Sequence, residues 1–198
     1  MPPLVRRTQA ERRETTQRAI LEGAARALEE VGYNNFTTAF ACEKAGVSQG
    51  ALFRYFPTKN ALVVAAAGHI FAELRNSFGT QLFKGKGRPT EAKAIAALWD
   101  VFCSPTLRVI YELYCAAATE PELAEGLKPI VDEHTEATRA AATLLFPAHA
   151  EEKNFHALID MVLFSMQGAS LQFCARREPT RGRALLEFLV GAVEAKPE

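Results

Sequence analysis

Cysteine is scarce in this chain, and what there is does not pair. Cys42, Cys103, Cys115 and Cys174 are the four in 198 residues and no two form a CxxC spacing, which predicts reduced thiols used as small core residues, with a redox-sensing thiol as the alternative. Net charge is missing too, since 23 Lys and Arg stand against 23 Asp and Glu. The longest apolar stretch, His156 to Ala175, is interrupted by Asp160, Gln167, Ser170 and Gln172, which excludes a membrane span. The opening MPPLVRRTQAERRETTQ has no apolar segment of the kind an export signal needs, so the expected location is the cytoplasm. Catalytic patterns are absent as well. His69, His134, His149 and His156 form no HExxH set, no Ser/His/Asp or Cys/His arrangement is legible, and Gly85 and Gly87 in KGKGRP lack the spacing of a phosphate-cradling loop. Asp132, Glu133 and His134 are consecutive, but such a cluster is usually a solvated helix face. No enzyme, cofactor or metal is expected.

What remains is apolar, helical and unevenly charged. A hydrophobic content of 48% can bury a sizeable core. Through Ala66 the chain holds nine Lys and Arg against six Asp and Glu, leaving 14 against 17 in the remainder. A basic N-terminal third suits phosphate contact, because releasing counterions supplies much of the affinity for DNA. Glycine and proline fall at intervals that fit helix boundaries rather than strands. The pattern predicts an all-α protein of about nine helices: Thr15 to Val31 with Gly32 as its stop, two short helices up to Pro57, a long helix from Lys59 past Phe78, and further helices near 90–103, 105–119, 121–146, 150–177 and 180–195. Pro129 is expected to kink the 121–146 helix or divide it. Residues 1–66 are expected to form one domain and 67–198 a second.

The segment FTTAFACEKAGVSQGALFRYFPTKNAL, Phe36 to Leu62, carries the chemistry. Thr37 and Thr38 offer hydroxyl caps, Ala41, Cys42 and Ala45 keep the first short helix slim, and Gly46 permits the positive φ that ends it. Ser48 caps a second helix in which Leu52 and Phe56 form one buried stripe, while Gln49, Gly50, Ala51, Arg54 and Tyr55 fall on other faces. Two short helices joined by a glycine turn read DNA in the major groove.

From Thr15 to Val63, 49 residues or about a quarter of the chain, the sequence resembles the TetR family of tetracycline-repressor-like bacterial transcriptional regulators. The AGVS turn, LFRYF and the following Lys59 are the matching motifs. The resemblance implies an N-terminal helix-turn-helix domain, a C-terminal ligand-binding and dimerisation domain, double-stranded operator DNA as partner, a small-molecule effector and a homodimer. Two positions depart from the family pattern. Phe53 stands where a tyrosine hydroxyl often holds phosphate, and Ala39 where some members place a base-reading arginine. Arg54 or the arm carrying Arg6, Arg7, Arg12 and Arg13 is then the source of the missing charge.

Residues at the start of a recognition helix read bases and those at its flanks touch phosphate. Gln49 can pair bidentately with adenine, Gly50 admits close backbone approach and Ala51 can meet a thymine methyl. Thr37, Thr38, Ser48, Tyr55 and Lys59 match family positions that hold phosphate, and Thr37 and Ser48 serve as caps in any case. In the second domain Trp99, Tyr111, Tyr114 and Phe164 are the pocket candidates, and the few charges on these faces point to an apolar or aromatic effector with one polar anchor. Apolar residues on more than one face of the 150–177 helix, with Leu185, Leu186, Phe188, Leu189, Ala192 and Val193 after it, predict a four-helix dimer interface. The expected function is ligand-responsive repression at a palindromic operator. The alternatives are a DNA-binding dimer without a ligand and, more remotely, an enzyme using the helical domain as its substrate site.

Overall fold

The computed structural model describes residues 8–84, 89–176 and 179–194, without the side-chain surroundings of 173–183 and 192–194. Among the described residues the chain is helical throughout, with no strand. The helices are α1 (Gln9–Asn35), α2 (Thr38–Ala45), α3 (Gln49–Tyr55), α4 (Lys59–Leu82), α5 (Glu91–Phe102), α6 (Pro105–Ala117), α7 (Pro121–Leu145), α8 (Phe155–Arg176) and α9 (Pro179–Glu194).

Local chemistry explains most of these boundaries. α1 starts several residues before the expected Thr15 because Thr8 and Glu11 form a capping box, each side chain accepting from the other's backbone N–H at 3.2 and 2.8 Å. Its regular turns end at Gly32, whose φ of 72° is non-helical. α5 is capped by Thr90, and prolines open α6, α7 and α9 at a position where the missing N–H costs nothing. α8 begins at Phe155, later than expected, because residues 146–154 turn rather than coil into the helix. The expected division at Pro129 does not occur: α7 is one helix from Pro121 to Leu145 with the proline inside it. The exposed ring costs one intrahelical hydrogen bond, and the turns on either side carry the helix across.

The chain forms two compact units. The first comprises Met1–Phe71 with Arg108–Ile130, and the second Ala72–Leu107 with Val131–Glu198. In the first unit Ile20, Ala24 and Leu28 of α1, Phe36, Leu52 of α3 and Leu62, Ala66 and Ile70 of α4 are buried. Burying each large aliphatic side chain stabilises by roughly 1.5–3 kcal/mol. α1 crosses α2 so closely at Gly23 that a Cβ there would lie 2.5 Å from Cβ of Ala45. In the second unit Ile95, Val162, Met166 and Leu189 form a core, with Leu98, Trp99, Phe102, Leu185, Leu186 and Val190 packed against it. α5, α8 and α9 thus share one apolar centre.

The cysteines depart in part from the core role expected of them. Cys42 is buried, and burial pushes its thiol pKa up, away from reactivity. Cys103 and Cys115 are exposed, because each falls on the outward side of its helix end or turn. The surroundings of Cys174 lie outside the described residues.

Candidate nucleic-acid interface

The helix-turn-helix is built by three caps. Thr37 accepts from the Phe40 N–H at 3.1 Å and starts α2, leaving Thr38 as the first helical residue. Gly46, at φ 67° and ψ 33°, ends it in the left-handed region, which a side chain would strain. The Gly46 and Val47 N–H groups close on Glu43 and Cys42 carbonyls, and Arg26 of α1 donates to the Lys44 carbonyl at 2.7 Å. Lys44 pairs in turn with Glu30. Ser48 then accepts from the Ala51 N–H at 3.2 Å and starts α3. The turn is therefore fixed from within and tied to α1.

Burial of Leu52 and Phe56 decides which way α3 faces. Gln49, Gly50, Phe53 and Arg54 are exposed, while Ala51 and Tyr55 are half-buried. At 3.6 residues per turn the four exposed residues share one outward arc of about 140°. Gln49 and Gly50 sit at its N-terminal end, where a helix entering the major groove meets base edges. Phe53, 43% exposed, lies between Gln49 and Arg54 on that arc. Its place suits apolar contact with a thymine methyl, a role that its sequence position as a missing tyrosine did not suggest.

Around this face the cations are held by aromatic rings. The Lys59 ammonium, at the first turn of α4, stands 5.1 Å from the Tyr33 ring centroid and 5.8 Å from that of Phe36. The Arg13 guanidinium of α1 stands 5.9 Å from the Tyr55 ring. Such contacts limit the rotamers of long side chains before any phosphate arrives. Arg12 and Arg13 are exposed, whereas Arg6 and Arg7 lie outside the described residues. Thr37, Ser48 and Lys59 are exposed and Thr38 is half-buried. A polar cleft of about 370 Å³ beside Lys59 is lined by Tyr33, Thr58, Asn60, Val63, Glu120, Glu122 and Leu123.

Sequence reasoning missed Tyr33, Glu112 and Glu120, which support this cleft. Glu112 Oε2 accepts from the Tyr33 N–H at 2.9 Å and Glu120 Oε2 accepts from its hydroxyl at 2.6 Å. With partners 79 and 87 residues away, no local pattern could have revealed them.

A capped helix-turn-helix with a polar outward face and ring-held cations points to a DNA-binding regulator, and the comparisons agree. The family profile described as "Bacterial regulatory proteins, tetR family" matches residues 20–66. An uncharacterized HTH-type transcriptional regulator of Mycobacterium tuberculosis is 31% identical over 167 residues, covering 83% of this chain and 86% of the relative. The chain belongs to the TetR family. TetR-family membership makes it a transcriptional regulator rather than an enzyme. Its fold is that of a Rhodococcus sp. Rha1 transcriptional regulator, with a TM-score of 0.70 at 18% identity over 91% of this chain and 99% of that one. The transcriptional regulator FadR from Bacillus subtilis, solved with stearoyl-CoA, has the same fold at a TM-score of 0.63 and 14% identity, over 87% and 97% of the two chains.

The four aromatic pocket candidates fall in different units. Trp99 is half-buried against the core of the second unit, whereas Phe164, in the same unit, is 69% exposed on α8. Tyr111 and Tyr114 of α6 lie in the first unit, Tyr111 buried and Tyr114 half-buried with its phenol pKa raised by burial. Among the described residues no single helix is long and apolar enough to cross a membrane.

Proposed function

We propose that this TetR-family chain is a cytoplasmic, dimeric repressor that binds a palindromic operator through α3 and leaves it when a small, largely apolar effector binds. The outward arc of Gln49, Gly50, Phe53 and Arg54, flanked by Lys59 and Arg13, carries the reading. Residues 1–66 supply the DNA contacts and 67–198 the effector site and dimer face. The FadR complex with stearoyl-CoA supports an effector site on this fold, with Trp99 of the second unit as a lining residue here. Met161, Phe164, Gly168 and Leu171 are exposed along one arc of α8, and Phe188 is exposed on α9. That placement suits Phe164 to the dimer face rather than to the pocket, since an exposed apolar stripe on a pair of packed helices calls for a partner.

Two recognition helices must then stand about 34–36 Å apart to enter successive major grooves, and an effector that tilts α4 changes that separation. Selection of binding sites from random duplexes, followed by footprinting, tests the operator claim. Two-fold symmetric sites protected on half-sites one turn apart are expected, and asymmetric single half-sites would refute it. Linkage requires operator to weaken effector binding by the factor that effector weakens operator binding.

A further inference from the structure

Arg75, on the part of α4 that belongs to the second unit, is half-buried and has an unusual partner. Its Nη1 lies 2.9 Å from Nδ1 of His134 on α7. A guanidinium only donates, so Nδ1 accepts and the imidazole proton sits on Nε2. Burial first, and then the nearby Arg75 charge, lower the His134 pKa to about 4, so at neutral pH the ring brings no charge. The pair therefore carries a single positive charge, and one of the guanidinium's five N–H donors is committed to a neutral ring.

The contrast with Arg139 in the same unit is informative. Arg139, also half-buried, donates to Asp160 at 2.7 Å and to Glu136 at 3.5 Å. Among the described residues no carboxylate stands within ion-pair distance of Arg75. A partly desolvated cation without a counter-charge is unfavourable unless something supplies one. One turn along α4, a Cβ on half-buried Gly79 would meet nothing within 4 Å.

We propose that Arg75, oriented by His134, is the anchor for the carboxylate of a small monoanionic ligand whose remainder is apolar. The inference rests on the effector reading above and gives that effector its charge. A planar guanidinium fork matches a carboxylate bidentately, and one cation balances one negative charge. His134 acts as a positioning residue: its Nδ1 holds one N–H in place and leaves the outer fork for the ligand.

Benzoate and octanoate, each paired with its primary amide, are suitable probes for the full-length protein. NMR of the Arg75 Nε–H and of the His134 ring is expected to shift with the acids and not with the amides, with the His134 pKa rising as an anion settles beside it. The acids are expected to bind at least about tenfold more tightly than the amides. Arg75→Gln should abolish that preference, and Arg75→Lys, which keeps the charge, should restore part of it and shows that folding is not the issue. Equal binding of acid and amide, no response to either acid, or an acid preference that survives in Arg75→Gln would overturn the proposal. An equal response to inorganic phosphate would overturn the carboxylate assignment. Operator release separates the two readings. If amides release operator and acids do not bind, the anchor fails while the effector reading stands; if acids bind at Arg75 without releasing operator, the anchor stands and the effector reading fails.

Discussion

The Tyr33 hydroxyl donates to Glu120 at 2.6 Å, and the backbone N–H of the same tyrosine donates to Glu112 at 2.9 Å. Tyr33 thereby ties the last turn of α1 to α6 and to the residue preceding α7, while its ring supports the Lys59 ammonium. Burial, then the hydrogen bond and charge of Glu120, then Glu122, push its pKa up to about 12, so it remains a donor at any working pH. Tyr33→Phe keeps the ring and loses the hydroxyl. It is expected to cost about 1–2 kcal/mol in urea denaturation with little change in operator affinity. Tyr33→Ala should lose both. A Phe variant with the wild-type midpoint would show that the hydroxyl bond carries no net stability.

Gln49 and Lys59 are expected to separate specificity from affinity. Gln49→Ala should relax base preference by roughly 1–3 kcal/mol at one position of each half-site. Lys59→Gln should weaken all sequences alike and reduce the slope of log K against log salt by about one. Binding measured across a set of single-base operator variants at three salt concentrations checks both, and unchanged selectivity in Gln49→Ala would remove it from the base-reading face.

What was legible in the sequence follows from the range over which each signal acts. Thr37, Gly46 and Ser48 reveal the two short helices because caps act within three or four residues. Gly32 marks an end, and the prolines that open α6, α7 and α9 mark starts, for the same reason. Pro129 does not divide α7, because its local preference for a break is small beside the packing of a 25-residue helix. Phe53 was legible only as a lost hydroxyl, and its position on the outward arc of α3 came from seeing which side Leu52 buries. Tyr33, Glu112, Glu120 and the Arg75–His134 pair join residues 59 to 87 positions apart, and periodicity does not encode such pairings.

The crossing of α1 and α2 depends on the missing side chain of Gly23. A Cβ there would stand 2.5 Å from Cβ, 2.6 Å from N and 2.7 Å from Cα of Ala45. Backbone atoms cannot swing aside, so Gly23→Ala should force the helices apart at a cost of about 1–3 kcal/mol, read as a lower Tm. Adding Ala45→Gly relieves only the Cβ contact and should recover a minor part of the loss. Full recovery in the double variant would mean that the side chains alone set the crossing.

Stability should also fall in mild acid through His134. The unfolded imidazole, with its ordinary pKa of 6.5, binds a proton that the folded ring refuses until about pH 4. The unfolded state therefore holds more protons between these values, and stability declines as pH drops from about 6.5 to 4, by at most about 1.4 kcal/mol per pH unit from this group. Arg75 is the charged group facing the ring from α4. His134→Gln should flatten the decline, and denaturation midpoints at pH 7 and 5 that differ equally in both proteins would assign it to other groups.

The exposed stripe of α8 and α9 gives the sharpest test of assembly. Phe164 and Phe188 are 69% and 70% exposed, and Met161 and Leu171 share the α8 arc with Phe164. An isolated subunit would leave these rings in water, whereas two copies meeting across a two-fold axis bury them against one another. Phe164→Ser with Phe188→Ser should shift sedimentation at micromolar concentration from dimer to monomer without lowering helix content, because neither ring belongs to the Ile95–Val162–Met166–Leu189 core. Operator affinity should then fall by more than about tenfold, since each half-site must be bound without its tethered neighbour. Dimers that persist in the double variant would move the interface to another face.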